Sequence, residues 1–338
     1  QRMKTLLALI EKPGHVCWRY RIAAFEPYLR DACWRLESVP LERGIGFFRQ
    51  MRTVARADAV LLQRRLLSWW QIRLLRQNAK RLYFDIDDAV FLRDSNSTRH
   101  AENGRRSRRF RATVERADGV LVGNEYLAAE ARRWTAADRV HFVPTCVDPV
   151  KYLPTPSERT GGDVRIVWIG SRSTMTSLDA IAPALAQATR RLPGLKLRVV
   201  CDVFPNLPGV EVVPVVWSEA AEATELASGD IGVSWLPEHP WSRGKCGLKV
   251  LQYMAAGLPV VANPFGVHPA MIETGVHGVL ATSPAEWTEA IVRLAGDAEL
   301  RRRMGTSSRT RLEAEYGVSV WGPRVAKSLE SGRVAKAG

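Results

Sequence analysis

Short β-rich runs alternate with helical patterns along nearly the whole chain, and this alternation constrains the fold more than any other feature. A first series comprises TLLALI, DAVLLQ, RLYFDI, DGVLVG and HFVPT, and a second comprises DVRIVWIG, LKLRVVC, DIGVSWL and LPVVAN. Strands that alternate with helices form parallel sheets with helices on both faces. The sequence therefore predicts an α/β protein built from doubly wound parallel sheets.

The series of strands starts again at Val164, after PTPSERTGGD, a stretch with the composition of a linker. The 338 residues also exceed the usual size of one domain. We predict an N-terminal domain over residues 3–155, a C-terminal domain over 156–317, and a helix and tail over 318–338. Open α/β sheets bind ligands at the carboxyl ends of their strands, so functional side chains are expected directly after strands.

The net charge is +14, and most of it lies in the first half of the chain. Residues 1–150 contain 28 Lys and Arg against 17 Asp and Glu, whereas the remainder contains 21 against 18. Residues 61–81 indicate either an interfacial helix or an amphipathic helix packed on the sheet. Residues 105–111 indicate either contact with anionic lipid or a diphosphate, or a solvated face. We expect an anionic membrane surface as a partner, and no nucleic acid, because the motifs of nucleic-acid-binding folds are missing from the sequence.

The cysteines and the hydropathy pattern predict a cytoplasmic protein, so that the membrane contact expected from residues 61–81 and 105–111 is peripheral and on the inner face. The five cysteines are an odd number, widely scattered and without metal-ligand spacing. MKTLLALI, from Met3, is too short for a signal peptide and reads as a first strand. No apolar run approaches the roughly 20 residues that span a bilayer.

The stretch from Arg243 to Ala281 has the pattern of an anion site. Residues 247–256 have helical character, and residues 260–262 form a predicted buried strand. In a helix that begins near Gly244, the side chains of Lys245, Lys249 and Gln252 share one face. The helix dipole and the two lysines favour an anion, and glycines near the helix start allow close approach of backbone N–H groups. The alternative is a surface helix with two solvated lysines.

This stretch, RGKCGLKVLQYMAAGLPVVANPFGVHPAMIETGVHGVLA, resembles the C-terminal domain of retaining GT-B glycosyltransferases of the glycogen-synthase-like and mannosyltransferase-like family, commonly called family four. VWIGSRSTMTSLDAIAPAL, VLVGNEYLAAEAR and FVPTCVD extend the resemblance to about residues 80–330. It implies a GT-B fold: two Rossmann-like domains facing each other across a cleft, with a C-terminal helix that crosses back to the N-terminal domain.

Two motifs depart from the family pattern. The two carboxylates of the Glu-x7-Glu motif fall on Gly244 and Gln252, although Gln252 can still hydrogen-bond a ribose hydroxyl. The basic residues of the first C-domain loop fall on Ser171 and Thr176. The positive charge for a diphosphate must therefore come from other side chains.

The resemblance implies transfer of a sugar from a nucleotide diphosphate sugar to a lipid-linked or polysaccharide acceptor, with retention of anomeric configuration. Lys249 and Lys245 would stabilise the departing phosphate. No cofactor or metal site is implied, and Mg²⁺ is not expected to be essential, although Asp85-x-Asp87 superficially fits a metal signature. The residues implied to bind the donor are Gly170, Ser171, Arg172, Trp217, Gly244, Gly247, Gln252, Gly266, Val267 and His268.

The acceptor is assigned to strand ends of the N-terminal domain. Asp85, in YFDIDDAVF, is a candidate catalytic base, and Asp87 and Asp88 can bind acceptor hydroxyls. His15 lies in the position of the family's acceptor loop and is a second candidate catalytic residue, with helix capping as its alternative role. The further candidate acceptor-binding residues are Arg19, Arg21 and Asn124, of which Asn124 has a structural alternative.

Three other functions remain open at this stage. The departures at Gly244 and Gln252 suggest a catalytically inactive GT-B protein that binds sugars or acts as a scaffold in a polysaccharide pathway. A nucleotide-sugar epimerase or a phosphorylase would share the fold. A nucleic-acid-binding protein is suggested by the net charge alone.

Overall fold

The computed structural model describes residues 2–153 and 163–330, which pack as two units. The first unit comprises the chain up to Cys146, the segment His239–Cys246 and the chain from Val318. The second unit comprises Val147–Glu238 and Gly247–Gly317. The predicted boundary at 155/156, the predicted linker up to residue 162 and the tail after Glu330 lie outside the described residues.

Each unit contains one six-stranded parallel sheet within the described residues. The first sheet has the order β2-β1-β3-β4-β5-β6, and the second has the order β12-β11-β10-β7-β8-β9. The strands are β1 (Lys4–Ile10), β2 (Trp34–Pro40), β3 (Ala59–Gln63), β4 (Leu82–Ile86), β5 (Gly119–Val122), β6 (Val140–Phe142), β7 (Val164–Ile169), β8 (Leu195–Cys201), β9 (Glu211–Val216), β10 (Ile231–Ser234), β11 (Val260–Ala262) and β12 (Gly278–Leu280).

Helices connect these strands, as the alternation in the sequence predicts. The helices are α1 (Val16–Arg21), α2 (Glu26–Asp31), α3 (Ile45–Arg56), α4 (Trp69–Asn78), α5 (Gly104–Arg116), α6 (Glu125–Arg132), α7 (Thr176–Arg191), α8 (Glu222–Ala227), α9 (Leu248–Ala255), α10 (His268–Met271), α11 (Pro284–Gly296), α12 (Ala298–Glu315) and α13 (Val318–Glu330). Across the described parts of the chain, no helix is both long and apolar enough to cross a membrane.

The first sheet is covered on both faces. Side chains of α3, α4, α5 and α6 pack with one face in a core that includes Phe47, Ile72 and Phe110. Side chains of α1, α2 and the C-terminal helix α13 pack with the other face in a core that includes Trp34. The predicted C-terminal crossover helix thus belongs to the first unit, where the Tyr83 hydroxyl donates to the carbonyl of Leu329 at 2.8 Å.

The second sheet packs against α7 and α11 in a core around Trp168, Leu178, Ile291 and Leu294. Trp168 lies near the end of β7 and is fully buried, and its Nε1 donates to Ser177 Oγ at 3.1 Å. This bond fixes the indole ring at the carboxyl edge of the sheet, beside the loop that follows β7.

The structure confirms a strand in each of the nine predicted runs and differs from the sequence-based expectation in two respects. β2, β9 and β12 are additional strands: β2 is an edge strand that carries charged residues, β9 is a largely exposed edge strand, and β12 has only three residues. Residues 61–81 do not form one helix, because β3 ends at Gln63 and α4 covers only Trp69–Asn78. Residues 105–111 form part of α5, whose first N–H groups are capped by Asn103.

Candidate active site

The carboxyl edge of the second sheet holds Lys249 against the loop that follows β7. Lys249 Nζ lies 3.3 Å from Thr174 Oγ1 and 4.1 Å from the centroid of the Trp168 ring. Thr174 Oγ1 in turn accepts the N–H of Ser171 at 3.1 Å, which closes the turn that contains the exposed Arg172. The loop and α9 therefore bring a hydroxyl and an ammonium group together at this edge.

Two glycines allow this close approach. A Cβ on Gly170 would collide with the side chains of Trp168 and Thr174, so only glycine fits beside them. Gly247 precedes α9 with a φ of +66°, and a Cβ there would collide with Met271. The left-handed conformation at Gly247 starts α9 at Leu248 and places Lys249 in its first turn, near the positive end of the helix dipole.

The prediction that Lys245 shares a helical face with Lys249 and Gln252 is wrong, because α9 begins at Leu248 and a 3₁₀ turn covers Pro240–Gly244. Lys245 belongs to the first unit, where its Nζ lies 3.3 Å from Asp88 Oδ1. Gly244 also lies in the first unit, and a Cβ there would collide with the backbone of Ala89. A carboxylate side chain therefore does not fit at Gly244 without movement of the chain.

Gln252 lies in a buried polar network of the second unit. Its side chain is 2% exposed, and Nε2 donates to Tyr152 Oη at 3.1 Å. The Tyr152 hydroxyl donates to Glu222 Oε1 at 3.3 Å, and Trp217 Nε1 donates to Glu222 Oε2 at 2.8 Å. Trp217 is 39% exposed, so this network fixes one edge of a ring that solvent reaches. The ribose contact of Gln252 stays a prediction.

His268 stabilises the loop that follows β11. It is 1% exposed, its Nδ1 lies 2.9 Å from the carbonyl of Asn263, and its Nε2 lies 3.1 Å from Ser234 Oγ. Burial lowers the pKa of His268 to about 4, so the imidazole is neutral near pH 7. A carbonyl only accepts, so Nδ1 carries the proton and Nε2 accepts from the Ser234 hydroxyl. These bonds position the preceding Gly266 and Val267, and Gly266 has a φ of +61°.

The carboxyl edge of the first sheet holds a buried ion pair. Arg21 Nη2 lies 2.5 Å from Asp85 Oδ1, and both side chains are 1% exposed. Arg21 also donates to the carbonyl of Val143. Burial raises the pKa of the Asp85 carboxyl, and the Arg21 guanidinium opposes that rise. The structure thus pairs Asp85, the predicted base, with Arg21, a predicted acceptor ligand.

Asp87 and Asp88 share the guanidinium of Arg64. Arg64 Nε lies 3.2 Å from Asp87 Oδ1, and Nη2 contacts Asp88 Oδ2. Although burial favours the neutral acid, Arg64 holds the pKa of Asp87 below its usual value. Burial raises the pKa of Asp88, against the opposing effect of Lys245. The three carboxylates of residues 85–88 are therefore each paired with a cation.

The chemistry of these acids favours ion pairing over metal ligation. Arg21, Arg64 and Lys245 occupy the positions at which a divalent cation would bind the carboxylates. Within residues 2–153 and 163–330, no group of three or more His, Cys, Asp or Glu could hold a metal ion. The need for Mg²⁺ in turnover stays a prediction.

The other predicted acceptor residues lie at the same edge of the first sheet. His15 caps α1, because its Nδ1 accepts the N–H of Cys17 at 3.3 Å. Burial lowers its pKa, and the neutral ring then carries its proton on Nε2. Arg19 lies with its guanidinium carbon 5.2 Å from the centroid of the Tyr20 ring. Asn124 caps α6 and donates to the carbonyls of Arg243 and Lys245 at 3.1 and 3.0 Å, which anchors that segment.

Sequence reasoning missed the partners that complete both edges: Arg64, Trp168, Thr174, Tyr152 and Glu222. A charged residue directly after a buried strand was the available signal for Arg64, which follows β3 and has a φ of 57°. Trp168 and Thr174 flank the predicted donor loop, but neither residue type indicates contact with a lysine. Tyr152 and Glu222 are separated from Gln252 by 100 and 30 residues, so no local pattern connects them.

Comparison with known proteins finds similarity to glycosyltransferases. The family model described as Glycosyl transferases group 1 matches residues 163–297. D-inositol 3-phosphate glycosyltransferase of Nocardia farcinica is 25% identical over 226 residues, which are 54% of this chain and 49% of that protein. Alpha-D-kanosaminyltransferase of Streptomyces kanamyceticus is 24% identical over 238 residues, 64% of this chain and 61% of that protein. The chain spans about half the length of the first of these relatives.

Solved structures match nearly the whole chain. Anabaena Alr3699/HepE in complex with UDP and glucose has a TM-score of 0.72 at 15% identity, over 98% of this chain and all of that one. Sucrose-phosphate synthase from Thermosynechococcus elongatus has a TM-score of 0.70 at 16% identity, over 97% of this chain and 98% of that one. Residues 163–297 are therefore similar to the glycosyl transferases group 1 family, and the chain has the GT-B fold of these solved structures.

Proposed function

We propose that this protein transfers a glycosyl group from a nucleoside diphosphate sugar to a lipid-linked or carbohydrate acceptor, with retention of anomeric configuration. The observation that carries the proposal is the position of Lys249. This side chain lies in the first turn of α9, against the loop after β7, within the segment that matches the family. The crystal structures of Alr3699/HepE contain UDP or UDP-glucose, which supports a donor of this class.

The proposed donor site stabilises negative charge on the leaving group. When the bond between the anomeric carbon and the phosphate oxygen breaks, charge develops on the departing diphosphate. The Lys249 ammonium and the N-terminus of α9 provide preorganised donors for that charge. The N–H groups of Gly170 and Ser171 donate within the protein, to the carbonyl of Val200 and to Thr174 Oγ1. These groups belong to the protein, so we propose that turnover does not require Mg²⁺.

The acceptor is proposed to bind at the carboxyl edge of the first sheet. With retention, the acceptor oxygen bonds to the anomeric carbon on the face from which the phosphate departs. The departing phosphate oxygen is then the nearest group that can take the hydroxyl proton. His15, with its proton on Nε2, can donate a hydrogen bond to the acceptor, and Asp87 and Asp88 can orient its hydroxyls. We further propose that this takes place in the cytoplasm, at the inner face of the membrane.

A ligand-binding and turnover experiment tests this function. Thermal shifts are measured with UDP, GDP, dTDP and ADP sugars, because a ligand that binds the native state raises its stability. At least one sugar nucleotide is expected to stabilise the protein and to be hydrolysed slowly without acceptor, with or without EDTA. Lys249→Ala is expected to abolish the shift and to lower turnover about 100-fold, the usual effect of losing one such donor.

The matched control is Lys196→Ala, which removes a lysine from β8 near the amino end of the same sheet. Lys196 forms exposed ion pairs with Asp163 and Glu211, and its removal is expected to preserve donor binding. Equal effects of the two substitutions, or the lack of stabilisation by every sugar nucleotide, would contradict the proposal. Donor binding without hydrolysis or transfer would favour the inactive sugar-binding alternative.

A further inference from the structure

Large apolar side chains cluster on the outer surface of α3 and α4. Ile45, Phe48, Trp69 and Trp70 are 71, 54, 59 and 47% exposed, and we call these four residues the aromatic patch. The rings of Phe48 and Trp70 stack with their centroids 5.6 Å apart and an interplanar angle of 12°. An exposed cluster of this kind is uncommon on a soluble protein and marks a surface that contacts another body.

The fold does not need these side chains in its core. On α3, the buried residues Phe47, Met51 and Val54 pack against the sheet. Ile45 and Phe48 lie three residues apart and therefore share the opposite side of the helix, on which Arg49 and Arg52 continue the same surface. The exposed apolar area is thus an addition to a complete amphipathic helix.

The helix layer that carries the aromatic patch is rich in arginine. α3 packs against α4, and α4 packs against α5, so the three helices form one layer on the sheet. Their sequences contain eleven arginines and one acidic residue, Glu115. Glu115 pairs with Arg111 at 2.7 Å and with Arg116 at 3.9 Å. The arginines are Arg49, Arg52, Arg56, Arg73, Arg76, Arg105, Arg106, Arg108, Arg109, Arg111 and Arg116.

The helices on the other face of the same sheet differ. α1, α2 and α13 together contain five basic and three acidic residues. The large positive excess of the first half of the chain is therefore concentrated on the layer of α3, α4 and α5. A basic layer that carries exposed Trp, Phe and Ile has both components of an interfacial membrane contact.

We propose that the layer of α3, α4 and α5 docks on an anionic lipid bilayer, with the aromatic patch inserted at the boundary between head groups and acyl chains. Arg49, Arg52 and Arg73 then contact lipid phosphates. A bilayer fits better than a nucleic acid, because stacking of bases needs accessible ring faces. Phe48 and Trp70 cover each other, and the Arg73 guanidinium lies over the Trp69 ring at 5.5 Å.

The docked surface lies near the predicted acceptor residues. In a parallel sheet, each connecting helix begins beside the carboxyl end of the preceding strand. The aromatic patch lies at the starts of α3 and α4, and Arg105, Arg106 and Arg108 lie at the start of α5. The docking surface and Asp85–Asp88 therefore share one edge of the sheet. Membrane docking does not depend on the proposed activity, but it would bring a lipid-linked acceptor to this edge.

Vesicle sedimentation with the full chain tests the proposal. Vesicles of phosphatidylcholine, alone or with about 30% phosphatidylglycerol, are used at 0.1 M and 0.5 M NaCl. Binding is expected to require the anionic lipid and to weaken at high salt. Ile45→Ser with Trp69→Ser is expected to weaken binding more than tenfold. Arg49→Gln, Arg52→Gln and Arg73→Gln together should weaken it by roughly fivefold per arginine.

The controls remove exposed apolar or cationic side chains from other surfaces of the protein. Val150→Ser with Val216→Ser replaces side chains that are 68 and 74% exposed in the second unit. Arg324→Gln with Lys327→Gln removes two cations from α13. Both controls are expected to bind vesicles like the unsubstituted protein. Unchanged circular dichroism and an unchanged midpoint of thermal unfolding verify that every variant is folded.

Several results would overturn the proposal. The first is recovery of the protein in the supernatant with all vesicles, and the second is equal loss of binding in the patch variants and the controls. A third is binding that depends on the arginines but not on Ile45 and Trp69, which would exclude insertion. A fourth is retention of single-stranded RNA at physiological salt without vesicle binding. A fifth is self-association that the patch substitutions abolish, since the surface would then bind a second copy of the chain.

Discussion

Charged side chains at the carboxyl edges of the two sheets differ in how they are buried and paired. In the first unit, Asp85 and Arg21 are almost fully buried and satisfy each other, and Arg64 joins Asp87 to Asp88. In the second unit, Lys249 is half-buried against a hydroxyl and an indole ring, beside a neutral histidine. A buried ion pair cannot lose one partner without a large loss of stability, whereas a half-buried cation at a helix start is suited to bind an anion. The comparison favours a structural role for the Arg21–Asp85 pair and a ligand role for Lys249.

Removal of Asp85 from the carboxyl edge of the first sheet should have the largest effect on the free energy of unfolding. Asp85→Ala leaves the Arg21 guanidinium buried without its carboxylate, and we expect the free energy of unfolding to fall by about 3–5 kcal/mol. Urea unfolding followed by circular dichroism measures this change. Glu37→Ala is the control, because it breaks an exposed pair with Arg35 and should cost at most about 1 kcal/mol.

A double variant separates the structural role of Asp85 from its predicted role as a base. Arg21→Met with Asp85→Leu removes both charges and should recover most of the stability, because apolar side chains avoid the desolvation of a buried pair. If the refolded double variant retains turnover, Asp85 is structural. If it is stable but inactive, the Arg21–Asp85 pair belongs to the catalytic machinery, and the contrast between the two edges fails at this point.

The pH dependence of stability tests whether His268, at the carboxyl edge of the second sheet, is neutral and buried. Burial holds the pKa of His268 at about 4, below the 6.5 of an unfolded histidine. The unfolded chain therefore binds a proton at higher pH than the folded chain does. The stabilisation that results is complete above pH 6.5 and is lost as the pH falls toward 4. By pH 5, this one group should reduce the free energy of unfolding by about 2 kcal/mol.

His268→Gln provides the comparison, because glutamine keeps one donor and one acceptor without a proton to gain. Urea unfolding from pH 7.5 to 4.5 is expected to show a smaller loss of stability for the variant than for the unsubstituted protein. All other titrating groups are common to both proteins, so their contribution cancels in the difference. Parallel curves over this range would mean that His268 is charged or accessible in the folded state.

The sequence predicts the strands of both sheets better than it predicts the partners at their edges. Buried runs such as RLYFDI are local signals, because all their side chains are apolar or lie at a strand end. β2 is missed because WRLESVP is a half-exposed edge strand, and β12 because three residues carry no period. β9 is also outside the predicted runs, because it lies at an exposed edge and contains Pro214. The start of α9 is misplaced because the left-handed conformation of Gly247 cannot be inferred from composition.

Contacts between distant residues explain the remaining differences. Asp85 follows the expected rule for a strand end, but its partner Arg21 lies 64 residues earlier. His268 lies in the loop of the predicted donor site, but the partner of its Nε2, Ser234, lies 34 residues earlier at the end of β10. Residue type and spacing locate such side chains at an edge, whereas tertiary packing determines whether they face a ligand or each other.

The smallest expected effect concerns Gln252, which is buried in a hydrogen-bonded network and is also a predicted ligand of the donor. Gln252→Met removes the amide that donates to Tyr152 Oη, and we expect a loss of about 1 kcal/mol in the free energy of unfolding. The Tyr152 hydroxyl keeps its bond to Glu222, which limits the loss. Binding of the sugar nucleotide is measured on the same variant. A tenfold weaker affinity would support the predicted ribose contact, because a hydrogen bond to the donor would then be lost. An unchanged affinity, together with the loss of stability, would assign Gln252 to the buried network that fixes Trp217.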